Sequence, residues 1–116
     1  MAPMKKLITT AIPYMNGVPH IGHALEIILT DVIARGHRLL GEDVFFLTGA
    51  DEHGSKIFKA AETAGGDVMK MLDENVRHFQ DMNTALSISN DGYIRTTDKK
   101  KHWPVVQALW MRLFDN

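Results

Sequence analysis

Apolar residues fall into two kinds of run along this chain, and the alternation between them predicts its elements. Leu7-Ile8-Thr9-Thr10-Ala11-Ile12 is short, β-prone and almost uninterrupted, the pattern of a buried strand in a parallel sheet. Turn residues follow from Pro13 to Pro19. From Ile21 the apolar positions change period to 21, 25, 28, 29 and 32, a helical stripe with Gly41 placed just past its end. Gly36 weakens that helix by about 1 kcal/mol relative to alanine. Val44-Phe45-Phe46-Leu47-Thr48 predicts a second buried strand, and Gly49 to Gly54 a loop at its carboxyl end. Ser55 can cap a helix carrying Ile57, Phe58, Ala61 and Ala64, closed by Gly65-Gly66. Asp67 can cap the next, whose stripe is Val68, Leu72, Val76, Phe79 and Leu86. An extended segment over 87–97, broken by Asn90-Asp91-Gly92, leads to a last helix with Trp103, Val106, Trp110 and Leu113, beginning near Pro104.

Strand, helix, strand, helix, helix, extended segment, helix is the order of a doubly wound α/β unit with a parallel sheet. Ligands bind such sheets outside the carboxyl ends of the strands. The segments 13–20 and 49–54 both follow strands, so they are expected side by side.

Composition narrows the class without naming a ligand. The chain has 116 residues, 45% of them hydrophobic and 23% charged, which is one ordinary globular domain. A formal net charge of −1 supplies no bulk attraction to nucleic acid or acidic membranes. With no cysteine there is neither a disulfide framework nor a thiolate zinc site, and no metal site is expected within this chain. No apolar run approaches the ~20 residues of a membrane span, and no secretory leader is recognisable. A cytoplasmic protein without membrane partners is the expectation.

Two loops carry the chemistry. His20 and His23 fall in the first turn of the predicted helix, where free backbone N–H groups and the positive end of the helix dipole suit phosphate. A metal pair and a chance His-x-x-His spacing remain as alternatives. Gly22 between them offers bare backbone to a base or ribose. Asp51 directly follows the second strand, and a carboxylate there suits an α-ammonium group or a ribose hydroxyl. Tyr14, with Ala11 and Ile12, can border an apolar pocket, although plain strand core explains Ala11 and Ile12 equally well. For Glu52 the plain reading is a solvated turn with a helix cap.

Ala11-Ile12-Pro13-Tyr14-Met15-Asn16-Gly17 followed by His20-Ile21-Gly22-His23 resembles the opening of class I aminoacyl-tRNA synthetases, whose signature reads HIGH. Thr48-Gly49-Ala50-Asp51-Glu52-His53-Gly54 resembles the TGTDEHG loop of the methionyl-tRNA synthetases. Ser89-Asn90-Asp91-Gly92-Tyr93-Ile94-Arg95-Thr96-Thr97-Asp98, with His102 after it, is similar to a third segment of the same enzymes. Ala50 for the family's threonine and Gly36 for its usual aromatic are the small departures. The resemblance implies the first half of a Rossmann-like nucleotide-binding fold of the HUP type. It also implies ATP-dependent activation of methionine to methionyl-adenylate, with transfer to tRNA(Met). On this basis His20 and His23 are catalytic, and Asn16, His20, Gly22 and His23 bind ATP, with Mg²⁺ as counter-ion. Ala11, Ile12, Tyr14 and Asp51 border methionine, Asp51 facing its ammonium group. His53 and Glu26 are secondary candidates, and Arg95 and Asp98 are structural.

The family's enzymes have several hundred residues. By the resemblance, residues 1–116 correspond to the N-terminal half of the catalytic domain, without the connective region, the KMSKS loop or the anticodon-binding helices. The expectation is therefore a piece that is inactive alone and completed by the remainder of the enzyme or a complementing chain. A non-catalytic ATP-binding module needing a partner is the alternative. A small nucleotidyltransferase with an HxGH turn is a third reading, disfavoured by the TGADEHG and RTTD segments.

Overall fold

In the computed structural model, residues 4–63 and 65–115 are described. The first strand β1 (Lys5–Thr9) leads through the 10–20 segment into helix α1 (Ile21–Leu39), and strand β2 (Asp43–Ala50) follows. Helices α2 (Ser55–Thr63) and α3 (Val68–Ala85) precede the short strand β3 (Gly92–Arg95), and helix α4 (Trp103–Phe114) comes last. The three strands form one parallel sheet in the order β1-β2-β3, Leu7 opposite Phe45 and Thr48 opposite Tyr93.

Turn and cap chemistry sets the boundaries as the residues demand. Gly41 sits at φ +79 just past α1, a conformation that costs glycine nothing. The Asp67 side chain accepts from the Lys70 amide at 3.1 Å and caps α3. Ser55 is the first residue of α2 rather than its cap, and Ala64 lies outside the described residues. Pro104 occupies the first turn of α4, where its missing N–H is harmless.

Three expectations about the strands, and one about the first helix, need correcting. β1 begins two residues earlier than expected and stops at Thr9, so Ala11 and Ile12 belong to the loop and not to strand core. β2 extends through Gly49 and Ala50, where a Cβ on Gly49 would lie 2.2 Å from the Ile94 carbonyl oxygen and would force β3 away. Of 87–97 only Gly92–Arg95 is strand; residues before it fasten α1 instead. Asp31 accepts from the amide and hydroxyl of Ser89 at 2.8 and 2.5 Å, and Arg38 reaches Ser89 Oγ at 2.6 Å and Asp91 at 2.7 Å. Asp91 in turn accepts from the Phe46 amide at 2.7 Å. Burial opposes ionisation of Asp31, but the Ser89 and Arg35 hydrogen bonds prevail and hold its carboxyl below the usual value.

The largest correction concerns α1. Its apolar stripe does not face the core: Ile21, Leu25, Ile28, Leu29 and Val32 are all exposed, Ile21 at 85%. The face that packs carries Ile27, Asp31 and Ala34, with Ile27 and Ala34 joining Phe46 in one cluster. A second cluster, Met15, Ala50, Ile57, Leu72, Val76 and Phe79, sits beneath the carboxyl ends of the strands. On the opposite side of the sheet Leu7 and Phe45 are 70% and 50% exposed, and α4 has no buried residue. α1 and α3 touch each other, so the sheet carries one helical layer and the molecule is only 20 Å deep along its shortest axis.

Candidate active site at the strand ends

The two chemistry-bearing loops meet, as parallel strands require. The Asp51 amide donates to the Pro13 carbonyl at 2.9 Å, and the Met15 amide donates to the Asp51 carbonyl at 3.0 Å, making a parallel bridge between Tyr14 and Asp51. Met15 is fully buried between them, and Asn75 Nδ2 of α3 donates to its carbonyl at 3.0 Å. An apolar side chain thus pins the 13–16 turn from below and leaves Tyr14 and Asn16 exposed above it.

His20 is the N-cap of α1, with extended backbone at φ −132. Its Nδ1 accepts from the Gly22 amide at 3.1 Å, while the His20 amide donates to His23 Nδ1 at 3.2 Å. The pair forms a reciprocal capping box built from two imidazoles. The sequence led us to expect free amides here; the structure shows those of His20 and Gly22 already partnered. Because each Nδ1 accepts, the neutral rings carry their protons on Nε2 and present Nε2–H donors. The rings stack at 3.8 Å between centroids, and Phe79 meets His23 edge-on at 5.0 Å. Burial, and then the neighbouring His20, hold the His23 imidazole below its ordinary pKa against the opposing pull of Glu26, which favours the neutral donor. Gly22 has a reason beyond ligand approach: a Cβ there would lie 2.9 Å from His20 Cε1.

The remaining candidates separate into those facing the crevice and those behind it. Ala11 is exposed, Ile12 half-buried and Asp51 half-buried. Asp51 Oδ1 accepts from the His53 amide at 3.1 Å, an Asx-type turn that fixes the carboxylate's direction. Glu26 Oε1 accepts from the Ala11 amide at 3.0 Å, so it braces the loop. His53 Nε2 donates to the Thr96 carbonyl at 3.2 Å, away from the His20/His23 pair. That same oxygen receives His102 Nδ1 and Trp103 Nε1, each at 3.1 Å. A small cavity of about 20 Å³ lies among Thr10, Ala11, His23, Glu26, Thr48 and Tyr93, joining the two loops.

Sequence reasoning missed Glu52. It is not a solvated turn residue: its side chain is fully buried, ion-paired to Arg95 at 2.6 Å and hydrogen-bonded by Thr97. The signal was available in Arg95 of the third segment, which needed a countercharge once placed on a strand. Among the described residues no three His, Asp or Glu side chains gather as a metal site, and no helix is long and apolar enough to cross a membrane.

The family model for tRNA synthetases class I (M) matches residues 6–116. A methionine–tRNA ligase of Rhizobium meliloti is 51% identical over 106 residues, 91% of this chain and 20% of that protein. One from Brucella suis is 47% identical over 116 residues, the whole of this chain and 22% of that protein. The chain therefore spans about a fifth of the length of these curated relatives. The Mycobacterium tuberculosis methionyl-tRNA synthetase in complex with methionyl-adenylate superposes with a TM-score of 0.81 at 51% identity, over 83% of this chain and 19% of that one. A leucyl enzyme from Agrobacterium radiobacter, at 21% identity and a TM-score of 0.88 over 99% of this chain and 15% of its own, shares the fold alone. Over nearly its whole length, then, this chain belongs to the class I tRNA synthetase family of the methionine type.

Proposed function

We propose that residues 1–116 are the N-terminal half of a methionyl-tRNA synthetase catalytic domain. In the reaction it serves, the methionine carboxylate attacks the α-phosphate of ATP in line, pyrophosphate leaves, and the adenylate then esterifies the terminal ribose of tRNA(Met). The observation that carries this reading is the two-imidazole capping box beside the Tyr14–Asp51 bridge. His20 and His23 supply neutral Nε2–H donors to phosphate oxygens whose charge grows in the transition state, so neither acts as a base. Gly22 lies under the adenosine and Asn16 on the triphosphate side. Asp51 takes the methionine ammonium, with Ala11, Ile12 and Tyr14 along the side chain. Mg²⁺ enters as the counter-ion of ATP. The setting is the cytoplasm.

Exposed apolar faces on α1, on the sheet and on α4 favour association with further protein, either the rest of the enzyme or a complementing chain. Methionine-dependent pyrophosphate exchange tests both ideas. The full-length protein carrying this chain should exchange, and the isolated 116 residues should show little or no turnover. Failure of the full-length protein to exchange with methionine would sink the reading.

A further inference from the structure

Glu52 is a fully buried carboxylate beside the residue proposed to hold the substrate's ammonium group, and nothing in the chemistry above uses it. Its partners come from β3 and the turn after it. Arg95 of β3 donates from Nε at 2.7 Å and places Nη2 at 2.6 Å; that Nη2 also lies 2.7 Å from Asp73 of α3. The Thr97 amide donates to Oε2 at 3.3 Å, and its hydroxyl bonds the same oxygen. The Glu52 amide donates to Thr96 Oγ1 at 2.8 Å, and the Thr96 amide donates to the Ala50 carbonyl at 3.2 Å. Close by, Tyr93 keeps a buried hydroxyl without a hydrogen-bond partner, and burial, then the Glu52 charge, push its pKa up to about 12.

Asp51 therefore lies between two sets of fixed neighbours. Pro13 and Met15 hold its own amide and carbonyl, and residues 50 and 52 are held by β3 and the turn after it. Successive side chains point to opposite sides, so turning Asp51 away from the crevice would drag Glu52 out of its charged pocket. A buried carboxylate torn from the Arg95 guanidinium is strongly disfavoured, which leaves the loop a single arrangement.

We infer that Glu52 and Arg95 are positioning residues whose buried ion pair aims the Asp51 carboxylate into the strand-end crevice. The inference rests on the reading of Asp51 as the partner of the methionine ammonium. Its signature is selective: methionine recognition depends on the pair, whereas the ATP side, held by the His20/His23 cap on another element, does not.

The experiment uses the full-length protein with Glu52→Gln, Arg95→Met and the double variant. Each single change should raise the methionine KM at least about fivefold and leave the ATP KM within about twofold. The double variant should be no worse than Arg95→Met alone, because it leaves no buried carboxylate without its counter-charge. Parallel rises in both KM values, an unchanged methionine KM, or multiplicative losses in the double variant would each overturn the inference. Should Arg95→Met fail to fold, Glu52→Gln decides alone. Amide exchange over residues 49–54 supplies a readout independent of substrate: Glu52→Gln should speed exchange there while β1 and residues 43–48 of β2 stay protected. Retained protection at 49–54 would overturn the positioning role even if wild type shows no methionine-dependent exchange, an outcome that by itself removes only the reading of Asp51.

Discussion

The two faces of α1 are built on opposite principles. Its inner face carries few apolar side chains, yet each is buried, and Asp31, Arg35 and Arg38 bind it to residues 87–91 by directed hydrogen bonds. Its outer side carries Ile21, Leu25, Ile28, Leu29 and Val32, all exposed, as are Ile33 and Leu39. The richer hydrophobic stripe is thus not the one that holds this chain together. Within the 116 residues, polar fastenings place the helix and its HIGH turn, while the apolar surplus is directed outward for something else to cover.

Truncation contrasts the faces most sharply. Phe46→Ala, which empties the centre of the inner cluster, should cost about 3–5 kcal/mol, whereas Val32→Gln on the outer face should change stability by about 0.5 kcal/mol or less. Denaturant unfolding of the isolated chain measures both; equal losses would mean the outer stripe is packed in solution. In the full-length protein Val32→Gln should become markedly costlier if that face is covered there.

A second pair of changes separates the site end of α1 from its body. His20→Asn and His23→Asn should each slow exchange about 10²–10³-fold in the full-length protein and alter ATP affinity much less. If ATP affinity collapsed with the rate unchanged, the donor role would be wrong. Asp31→Asn, at the other end, should cost about 1–3 kcal/mol of stability through the lost Ser89 and Arg35 partners, with the rate of folded enzyme preserved.

Proton uptake gives the smallest effect. His23 titrates below its ordinary 6.5 in the folded state, so the unfolded chain binds its proton first as pH falls. The corresponding stability is present above about pH 6.5 and is lost as pH drops through the depressed folded value. Burial is the larger cause and the neighbouring His20 the second, against Glu26, so His20→Gln should bring the NMR-detected His23 midpoint part of the way back toward 6.5. A midpoint already at or above 6.5 in the unaltered chain would contradict the neutral-donor arrangement.

The parts of this molecule legible in the sequence are those encoded by local chemistry. Both apolar strands, the glycine and aspartate caps, and the start of α1 at His20 follow from short-range propensities, and the adjacency of the two loops follows from parallel topology. Orientation was less legible. A stripe at 21, 25, 28, 29 and 32 predicts a buried face only if all covering partners are present, and here the inner face replaces apolar area with charged hydrogen bonds. Glu52 was misread for a related reason: a carboxylate in a Gly-rich turn looks solvated until its guanidinium arrives from a strand 43 residues later. The Nδ1-accepting state of the HIGH histidines could not be read at all, because it depends on backbone torsions at the cap.

One carbonyl oxygen carries a further consequence. Thr96 O receives N–H groups from His53, His102 and Trp103, yet a carbonyl has only two lone pairs. The three donors therefore share one acceptor, and His53 is joined through it to His102 and Trp103 at the start of α4. Since His53 also donates its amide to the Asp51 carboxylate, an unbroken chain of hydrogen bonds links the start of a helix with no buried residue to the loop at the strand ends.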